Sequence, residues 1–562
     1  MSKNFDFISF DPLSIPEIKA RTFGQGSIGG KAKGLILAQE ILKREKKLEI
    51  KIPESYFLST ECYDVFREKN KLWSLQNEGY YEIKSKFIQS SFPQEIEDKL
   101  RELLRKINYP LAIRSSSLLE DNLRYSFAGK YLTVFIPNQG SLELRMNQLS
   151  RAIKQVYASV FDSTAVEYRK KRGLKKEKMA IIIQRLAGQQ RGALFYPEIA
   201  GVGFSKNYRR WTNRIKKEDG VIRIVFGLGT RCTGRNYACT FSLSNTNLQP
   251  YWNNPQEISK YSQEVFDCLD MVDGELKSFN INNNEFIIKF HPNFGQFTQI
   301  YKEREIRDFP LTTSLSYPLD KIIFTFKGFS KYYQNFFKTL DYLFHLFERE
   351  TGSSVDIEFT YETTNDSLNI VQVRPLTSYE EFQVVRIPSN IRERDILLKG
   401  DRMLTNGILE DIKFLVYVDH QEYFRCIDKY EVARTIGRIN KKLEGENYIL
   451  VGPGRWGTNN PQLGVPVRYN EISNCGLLVE LGISYENFTP ELSYGTHFFS
   501  DLEVDNILYL PVFDNIKTNI FNKQWFESEY EKTEHLAVRI FPGKFNAYLD
   551  GENLVGLIVI SK

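Results

Sequence analysis

The chain has 562 residues, 42% of them hydrophobic and 14% aromatic, a composition that excludes extended disorder and a length that calls for two or three domains. Its 75 basic and 70 acidic residues leave a net charge of +5, too even a balance to demand a nucleic acid or an anionic membrane as partner. The six cysteines (Cys62, Cys232, Cys239, Cys268, Cys426, Cys475) show no C-x-x-C pair, no apolar run approaches the ~20 residues of a membrane helix, and Met1 to Asp11 lacks a basic stretch followed by an apolar one, so a soluble cytoplasmic protein with reduced thiols is expected.

Near the amino terminus Gly24, Gly26, Gly29 and Gly30 precede Lys31 and a helical stripe from Lys31 to Lys47, marked by Leu35, Ile36, Ala38, Ile41 and Leu42. Free backbone amides and a helix amino terminus are thereby placed where an anion can sit, and Lys31 adds a point charge. Glycines before a helix are as readily a plain turn, and the string is not a Walker loop. Next comes Leu111 to Val134, LAIRSSSLLEDNLRYSFAGKYLTV, in which an apolar strand, Leu111 to Arg114, delivers Arg114 into a Ser-rich turn. A second turn, Ser126-Phe127-Ala128-Gly129, returns the chain to a strand. The guanidinium can fork onto a phosphate, with hydroxyls and backbone amides around it. The plainer reading is a polar hairpin loop with an exposed Glu120-Asp121 pair.

Helical spacing returns over Leu142 to Val160 and Thr164 to Arg172, and strands are expected at Met179 to Arg185, Gly192 to Tyr196 and Val221 to Phe226. From about Asn245 to Pro310 the chain is Asn-rich and aperiodic, which reads as an elaboration between core elements. A helix over Lys331 to Glu350 leads into Val355 to Thr360 and Leu368 to Arg374, two alternating runs joined by Thr363 to Ser367, hence a β-hairpin. Alternation puts Asp356 and Glu358 on one face, and Gln372 and Arg374 likewise. A carboxylate with an amide carbonyl is hard-oxygen chemistry suited to Mg²⁺, although the same pattern alone also describes a solvated hairpin face. Beyond about residue 385 a helix near Glu431 to Lys442 and short strands with Gly and Pro turns form a separate α+β domain. There, Gly452-Pro453-Gly454-Arg455-Trp456-Gly457 reads as a tight structural turn before it reads as an anion site anchored by Arg455. His497, in Tyr494 to Phe499, is a conceivable phosphoryl acceptor, but a buried, hydrogen-bonded histidine is the commoner case.

In this order the strings resemble the ATP-grasp-type nucleotide domain of the phosphoenolpyruvate synthase and pyruvate phosphate dikinase family. Members of that family show a Gly-Gly-Lys-Gly opening, an Arg-Ser-Ser…Glu-Asp…Ser-Phe-Ala-Gly string, a strand ending in Gln, a Gly-Leu-Gly turn and a closing Asp-Ile-Glu…Gln-Ala-Arg-Pro. Each has a counterpart here. The resemblance implies a multidomain chain of α/β and α+β character. An ATP-binding module would occupy residues 1–380, with lobes at roughly 1–245 and 310–380, and a smaller α+β domain would follow over 385–562. It further implies that Lys31 and Arg114 contact ATP phosphates, that Gly129 and Thr133 line the site, and that Gln184 sits near the adenine. Glu358 and Gln372 would hold Mg²⁺, and Arg374 would clamp the transferring phosphate. Three stations depart from the pattern: Thr230-Arg231 follows Gly227-Leu228-Gly229 where the family carries Glu, Ala32 follows Lys31, and Val373 separates Gln372 from Arg374.

The family's dikinases pass phosphate to a histidine on a swivelling domain and then to pyruvate in a barrel. None of His291, His345, His420, His497 and His535 is followed by Ala-Ala, and too few residues follow the module for a barrel of ~250. The expected function is therefore Mg²⁺-dependent phosphotransfer from ATP to an acceptor that is a small molecule, a partner protein bearing a phosphohistidine domain, or a local histidine. An ATP-binding sensor or scaffold, and a sugar or antibiotic kinase, are the alternatives.

Overall fold

The computed structural model describes residues 5–561 apart from 6, 8, 46–49, 74, 76–77, 121–130, 163–164, 167–168, 171–173, 175–176, 208–210, 212–213, 233–237, 249–254, 284–289, 292, 310–320, 377–384, 403, 459, 484–491, 493–501, 503–506 and 552. The chain divides into two units, one of residues 1–206 and 219–377, the other of residues 207–218 and 378–562. The expected helix over Thr164 to Arg172 lies largely outside the described residues.

In the first unit, helix α1 (Gly30–Arg44) buries the stripe Ala32, Leu35, Ile36, Ala38 and Ile41. Its start is set by Gly29, whose φ of 80° is a left-handed value that disfavours a side chain, and on which a Cβ would lie 1.7 Å from the Ser116 carbonyl oxygen. One turn on, a Cβ on Gly34 would lie 2.1 Å from the Val373 carbonyl oxygen. These two glycines let α1 lie against two different sheets at backbone distance.

The first sheet contains β1 (Ser55–Leu58), β2 (Leu111–Ser117), β3 (Thr133–Ile136) and β4 (Met179–Arg185), in the order β1-β4-β2-β3 with Thr22–Phe23 beyond β1. Strand β2 runs three residues past the expected end at Arg114, because Ser115, Ser116 and Ser117 pair with Ile181, Ala180 and Met179 and are fully buried. The second sheet contains β5 (Ile199–Phe204), β6 (Val221–Phe226), β7 (Cys239–Ser242), β8 (Val355–Glu362) and β9 (Ser367–Pro375), ordered β7-β6-β5-β8-β9 with Ile50–Lys51 beyond β9. Helix α2 (Gln334–Thr351) covers one face, burying Phe336, Phe337, Leu340, Leu343, Phe344 and Phe347 against Ile357, Phe359 and Tyr361 of β8. Each such aromatic or leucine contributes about 1.5–3 kcal/mol of transfer free energy. The helix begins later than its sequence stripe because Tyr333 leaves helical geometry and splits off a short turn, Lys327–Tyr332.

The segment from Asn245 to Pro310 is more ordered than its composition suggests. Val265–Asp270 and Leu276–Asn280 join Gln189–Arg191 and Leu194–Tyr196 in a four-stranded sheet, and Thr298–Lys302, Glu305–Asp308 and Lys321–Phe324 form another. Phe266, Cys268, Leu269, Phe294 and Phe297 from this segment belong to the same buried cluster as α2. Strands of four to six residues joined by tight turns, Met271 to Glu275 and Glu303-Arg304, hide a period-2 pattern that a longer window averages away.

The second unit is built on a nine-stranded mixed sheet among the described residues. The strands β10 (Gly407–Val418), β11 (Tyr448–Pro453), β12 (Cys475–Gly482) and β13 (Leu508–Phe513) are mutually parallel, whereas β14 (Val538–Asp550) pairs antiparallel with β10 and with β15 (Val555–Ile560). At 12 and 13 residues β10 and β14 are long, not the short strands expected. Val416 and Val418 face helix α3 (Lys429–Lys442) through Val432, Ala433 and Ile436, while Leu415 and Tyr417 join a second core on the opposite face. In the Gly-Pro-Gly-Arg-Trp-Gly string, Trp456 is fully buried and Gly454 and Gly457 have φ of 63° and 70°, the geometry of a tight structural turn. No helix among the described residues is long and apolar enough to cross a membrane.

Candidate functional site

Arg114 sits on β2, and the alternation of that strand puts it on the same face as Gln184 of β4 and Thr133 of β3, its cross-strand partner. Its guanidinium reaches across to the second sheet. Nη1 donates to Gln184 Oε1 at 3.1 Å and to the Val371 carbonyl at 2.7 Å, and Nη2 donates to Glu358 Oε2 at 2.7 Å and to Gln372 Oε1 at 2.5 Å. One planar fork thus ties four segments together. The Val371 carbonyl is available because the β8/β9 register shifts between Glu358 and Phe359, leaving Val371 as the extra residue of a bulge.

On the β8/β9 hairpin, Asp356 lies opposite Arg374 and Glu358 opposite Gln372, so all four side chains share one face. Arg374 donates to Asp356 Oδ2 through Nε at 2.7 Å and through Nη2 at 2.6 Å. Asp356 and Gln372 are buried, which removes the reading of a solvated hairpin face. Glu358 keeps about a third of its side chain (33%) exposed. Burial pushes its carboxyl up, but the charges of Arg114, Arg374 and Lys31 outweigh that effect and hold it below the ordinary carboxylate value.

Lys31, in the first turn of α1, donates from Nζ to Glu120 Oε1 at 2.7 Å and to Ser115 Oγ at 3.0 Å. Glu120 is buried, not the exposed residue of a polar loop, and its Oε2 accepts the Ser117 N–H at 2.8 Å. The serines after Arg114 do not form an open turn. Ser116 Oγ accepts the Ala32 N–H at 3.0 Å and donates to the Ile28 carbonyl at 2.7 Å, so it caps α1 and joins β2 to the glycine string. Ser115 and Ser117 serve Glu120. An Arg-Ser-Ser-Ser string reads as a phosphate-binding turn, but its hydroxyls are here engaged with the protein itself.

Arg114, Gln184, Glu358 and Gln372 are therefore in direct contact, Lys31 and Arg374 reach Glu358 through charge, and Thr133 joins through register. Gly129 lies outside the described residues, as do Asp121, the Ser126 to Gly129 turn and the Tyr494 to Phe499 string with His497. Two residues absent from the expected set are Glu120 and Asp356, the carboxylates that hold Lys31 and Arg374. Alternation already places Asp356 on the hairpin face without giving it a role, whereas only the fold reveals that Glu120 turns inward. At the Gly227-Leu228-Gly229 turn, Thr230 Oγ1 donates to Asp267 Oδ2 at 2.6 Å and Arg231 Nε to Oδ1 at 2.9 Å, so another strand brings a carboxylate to the turn that lacks its own. Of the described histidines, His291 is buried against Tyr196 and Glu198, His420 is buried against Tyr417, His345 is exposed on α2, and His535 meets Cys426. Among the described residues no group of three or more His, Cys, Asp or Glu side chains is arranged to hold a metal ion.

A glycine-started helix lying on two sheets, with a cation and a polar hairpin face between them, defines a nucleotide-binding module of ATP-grasp type. Residues 25–395 match the family model described as pyruvate phosphate dikinase, AMP/ATP-binding domain, and the chain belongs to that family. It is 26% identical over 215 residues to phosphoenolpyruvate synthase of Aquifex aeolicus, a match covering 34% of this chain and 23% of that one. It is 28% identical over 190 residues to the uncharacterized phosphotransferase YvkC of Bacillus subtilis, covering 33% and 20%, and 23% identical over 326 residues to phosphoenolpyruvate synthase of Pyrococcus furiosus, covering 57% and 32%. The matches thus span between 20% and 32% of the length of these relatives.

Proposed function

We propose that the first unit binds ATP with Mg²⁺ and transfers a phosphoryl group to an acceptor yet to be identified. The observation that carries this reading is the gathering of Gln184, Glu358 and Gln372 around the Arg114 guanidinium, with Lys31 and Arg374 bearing electrostatically on Glu358. In this reading Lys31 and Arg114 contact the phosphates, Gln184 lies near the adenine, Gly129 and Thr133 line the site, and Arg374, aimed by Asp356, clamps the phosphate in transfer. Positioning and charge neutralisation are most of what phosphoryl transfer asks of a protein.

The donor chemistry suits Mg²⁺. Glu358 Oε2 and Gln372 Oε1 accept from the same Arg114 nitrogen, so two hard oxygens converge on one point, and the ion would complete its shell with waters and phosphate oxygens. Bound there, Mg²⁺ would neutralise charge developing on the phosphates. The relatives named phosphoenolpyruvate synthase and phosphotransferase favour transfer chemistry over passive binding. We take residues 1–380 as the nucleotide module and 385–562 as the second domain of this arrangement. The acceptor is a small molecule or a phosphohistidine domain on a partner.

The test is incubation with Mg²⁺ and ATP labelled at the β or the γ position, with label scored on protein and on candidate acceptors. Transfer by the wild type that is lost in Glu358→Ala and Arg374→Ala is expected. Calorimetric binding of ATP without turnover under any acceptor would replace this reading by that of a nucleotide sensor.

A further inference from the structure

Five of the six cysteines are buried, and Cys426 alone is partly open to solvent. Burial pushes the thiols of Cys62 and Cys268 up to about 11 and about 12 respectively, and those of Cys232 and Cys239 up as well, which leaves them as inert core groups. Cys426 differs in what surrounds it. It lies in the short link between the helix His420–Arg425 and α3, and its Sγ is 3.4 Å from Nε2 of His535, which arrives from a separate loop just before β14.

The hydrogen bonds of that loop fix the histidine's tautomer. The Ala537 N–H donates to His535 Nδ1 at 3.1 Å, so Nδ1 presents its lone pair and the neutral ring carries its proton on Nε2, the nitrogen that faces sulfur. Thr533 holds the loop, donating from Oγ1 to the His535 carbonyl at 2.9 Å and accepting the His535 N–H at 3.2 Å. The resting thiol sends its own proton to the Asp428 carbonyl at 3.2 Å. Lys429 Nζ donates to the Cys426 carbonyl at 2.8 Å, which keeps an ammonium beside the link. The sulfur thus faces the His535 Nε2–H, with the Asp428 carboxylate turned to the start of α3. Cys426 and His535 are both partly exposed, and the residue after each, Ile427 and Leu536, is almost wholly so, which puts the pair at an accessible surface that also carries Arg425, Asp428 and Glu534. Two ligands fall short of the three or four protein ligands of a zinc site, and no larger metal-binding group occurs among the described residues.

We propose that Cys426 is a thiol-modification site that forms mixed disulfides with low-molecular-weight disulfides, with His535 as the donor that stabilises the attacking sulfur. The proton of Cys426 passes to solvent. The thiolate attacks one sulfur of the small disulfide, the Cys426 S–S bond forms as the original S–S bond breaks, and the second sulfur leaves with the bonding pair and takes up a proton. No net oxidant is consumed beyond the disulfide itself, and a second thiol reverses the step.

The experiment uses the full chain with oxidised glutathione as probe and maps the modified cysteines by peptide mass analysis, in the native protein and in the urea-unfolded chain. In the native protein Cys426 is expected to react at least as fast as in the unfolded chain, while the other five slow by roughly tenfold or more through burial. His535→Ala, shown to melt like the wild type, is expected to slow Cys426 alone by several-fold, and His535→Gln, which can offer an amide N–H at the same place, to recover part of the rate. Cys426 reacting more slowly in the native than in the unfolded chain, or at an unchanged rate in a folded His535→Ala variant, overturns the proposal.

Discussion

The Arg114 Nη2 to Glu358 Oε2 contact of 2.7 Å joins strand β2 of the first sheet to strand β8 of the second and pairs a phosphate-binding candidate with a metal-binding candidate. If Arg114 is to reach a phosphate, Glu358 competes for it, and a cation bound by Glu358 relieves that competition. Reciprocity then requires ATP and Mg²⁺ to strengthen each other's binding. Glu358→Gln is expected to raise the affinity for ATP in the presence of a chelator, by about tenfold, and to abolish most of the gain that Mg²⁺ gives the wild type. Calorimetric titrations with and without Mg²⁺ decide it. An unchanged or weaker metal-free affinity in the variant would show that the pair does not act as an exchange.

Lys31 and Glu120 form a second ion pair, more deeply buried than the first. Removing one partner leaves the other charged and without its counter-ion. Glu120→Ala is expected to cost about 3–5 kcal/mol in stability, whereas the double change Lys31→Met with Glu120→Leu costs much less, because a buried pair hardly outweighs the desolvation it suffers. Urea unfolding followed by circular dichroism reports both. Equal losses in the single and double variants would mean that packing, not charge, dominates there.

The glycine string carries a prediction about space. Gly29→Ala and Gly34→Ala each drive a methyl group into a backbone carbonyl, of Ser116 and of Val373 respectively, and neither strand can retreat without leaving its sheet. A loss of more than about 2 kcal/mol is expected at each position, with α1 displaced and Lys31 misplaced. Gly79, whose Cβ would meet nothing within 4 Å, is the control, and Gly79→Ala is expected to change stability by under about 1 kcal/mol. Thermal melts of the three variants give the comparison.

What could be read from sequence follows from which signals are local. The helix after Gly30 and the β8/β9 hairpin with its facing carboxylates depend on 3.6- and 2-residue periods, and both form where they were expected, the helix ending at Arg44, short of its expected end. The partners of Arg114 come from positions 70 to 258 residues away, and no period encodes such a meeting. The serines after Arg114 illustrate the limit. Their chemistry suits a phosphate, yet the helix amino terminus and Glu120 engage them first. The Asn-rich segment after residue 245 escaped for the opposite reason, since its elements are short: Phe266 sits on the six-residue strand Val265–Asp270, and Phe294 and Phe297 on a single helical turn, too brief for a period to register.

Glu177 gives the pH prediction. Its carboxyl is buried beside Glu120, and these effects outweigh the hydrogen bond from Tyr131 at 2.7 Å and the charge of Arg169, raising it to about 7. A carboxyl raised above its unfolded value favours folding while protonated. Its contribution is complete below the unfolded value of about 4.3 and is lost as pH climbs through about 7, a swing of about 4 kcal/mol. Glu358 has the opposite sign, since its lowered carboxyl supports the fold above the unfolded value and loses that support as pH falls. Glu177→Gln keeps a neutral side chain of similar shape. Its melting temperature is therefore expected to match the wild type near pH 4, to exceed it increasingly up to about pH 8, and to level off beyond. A variant that is equally or less stable than the wild type at about pH 8 would place the Glu177 proton loss below the neutral range.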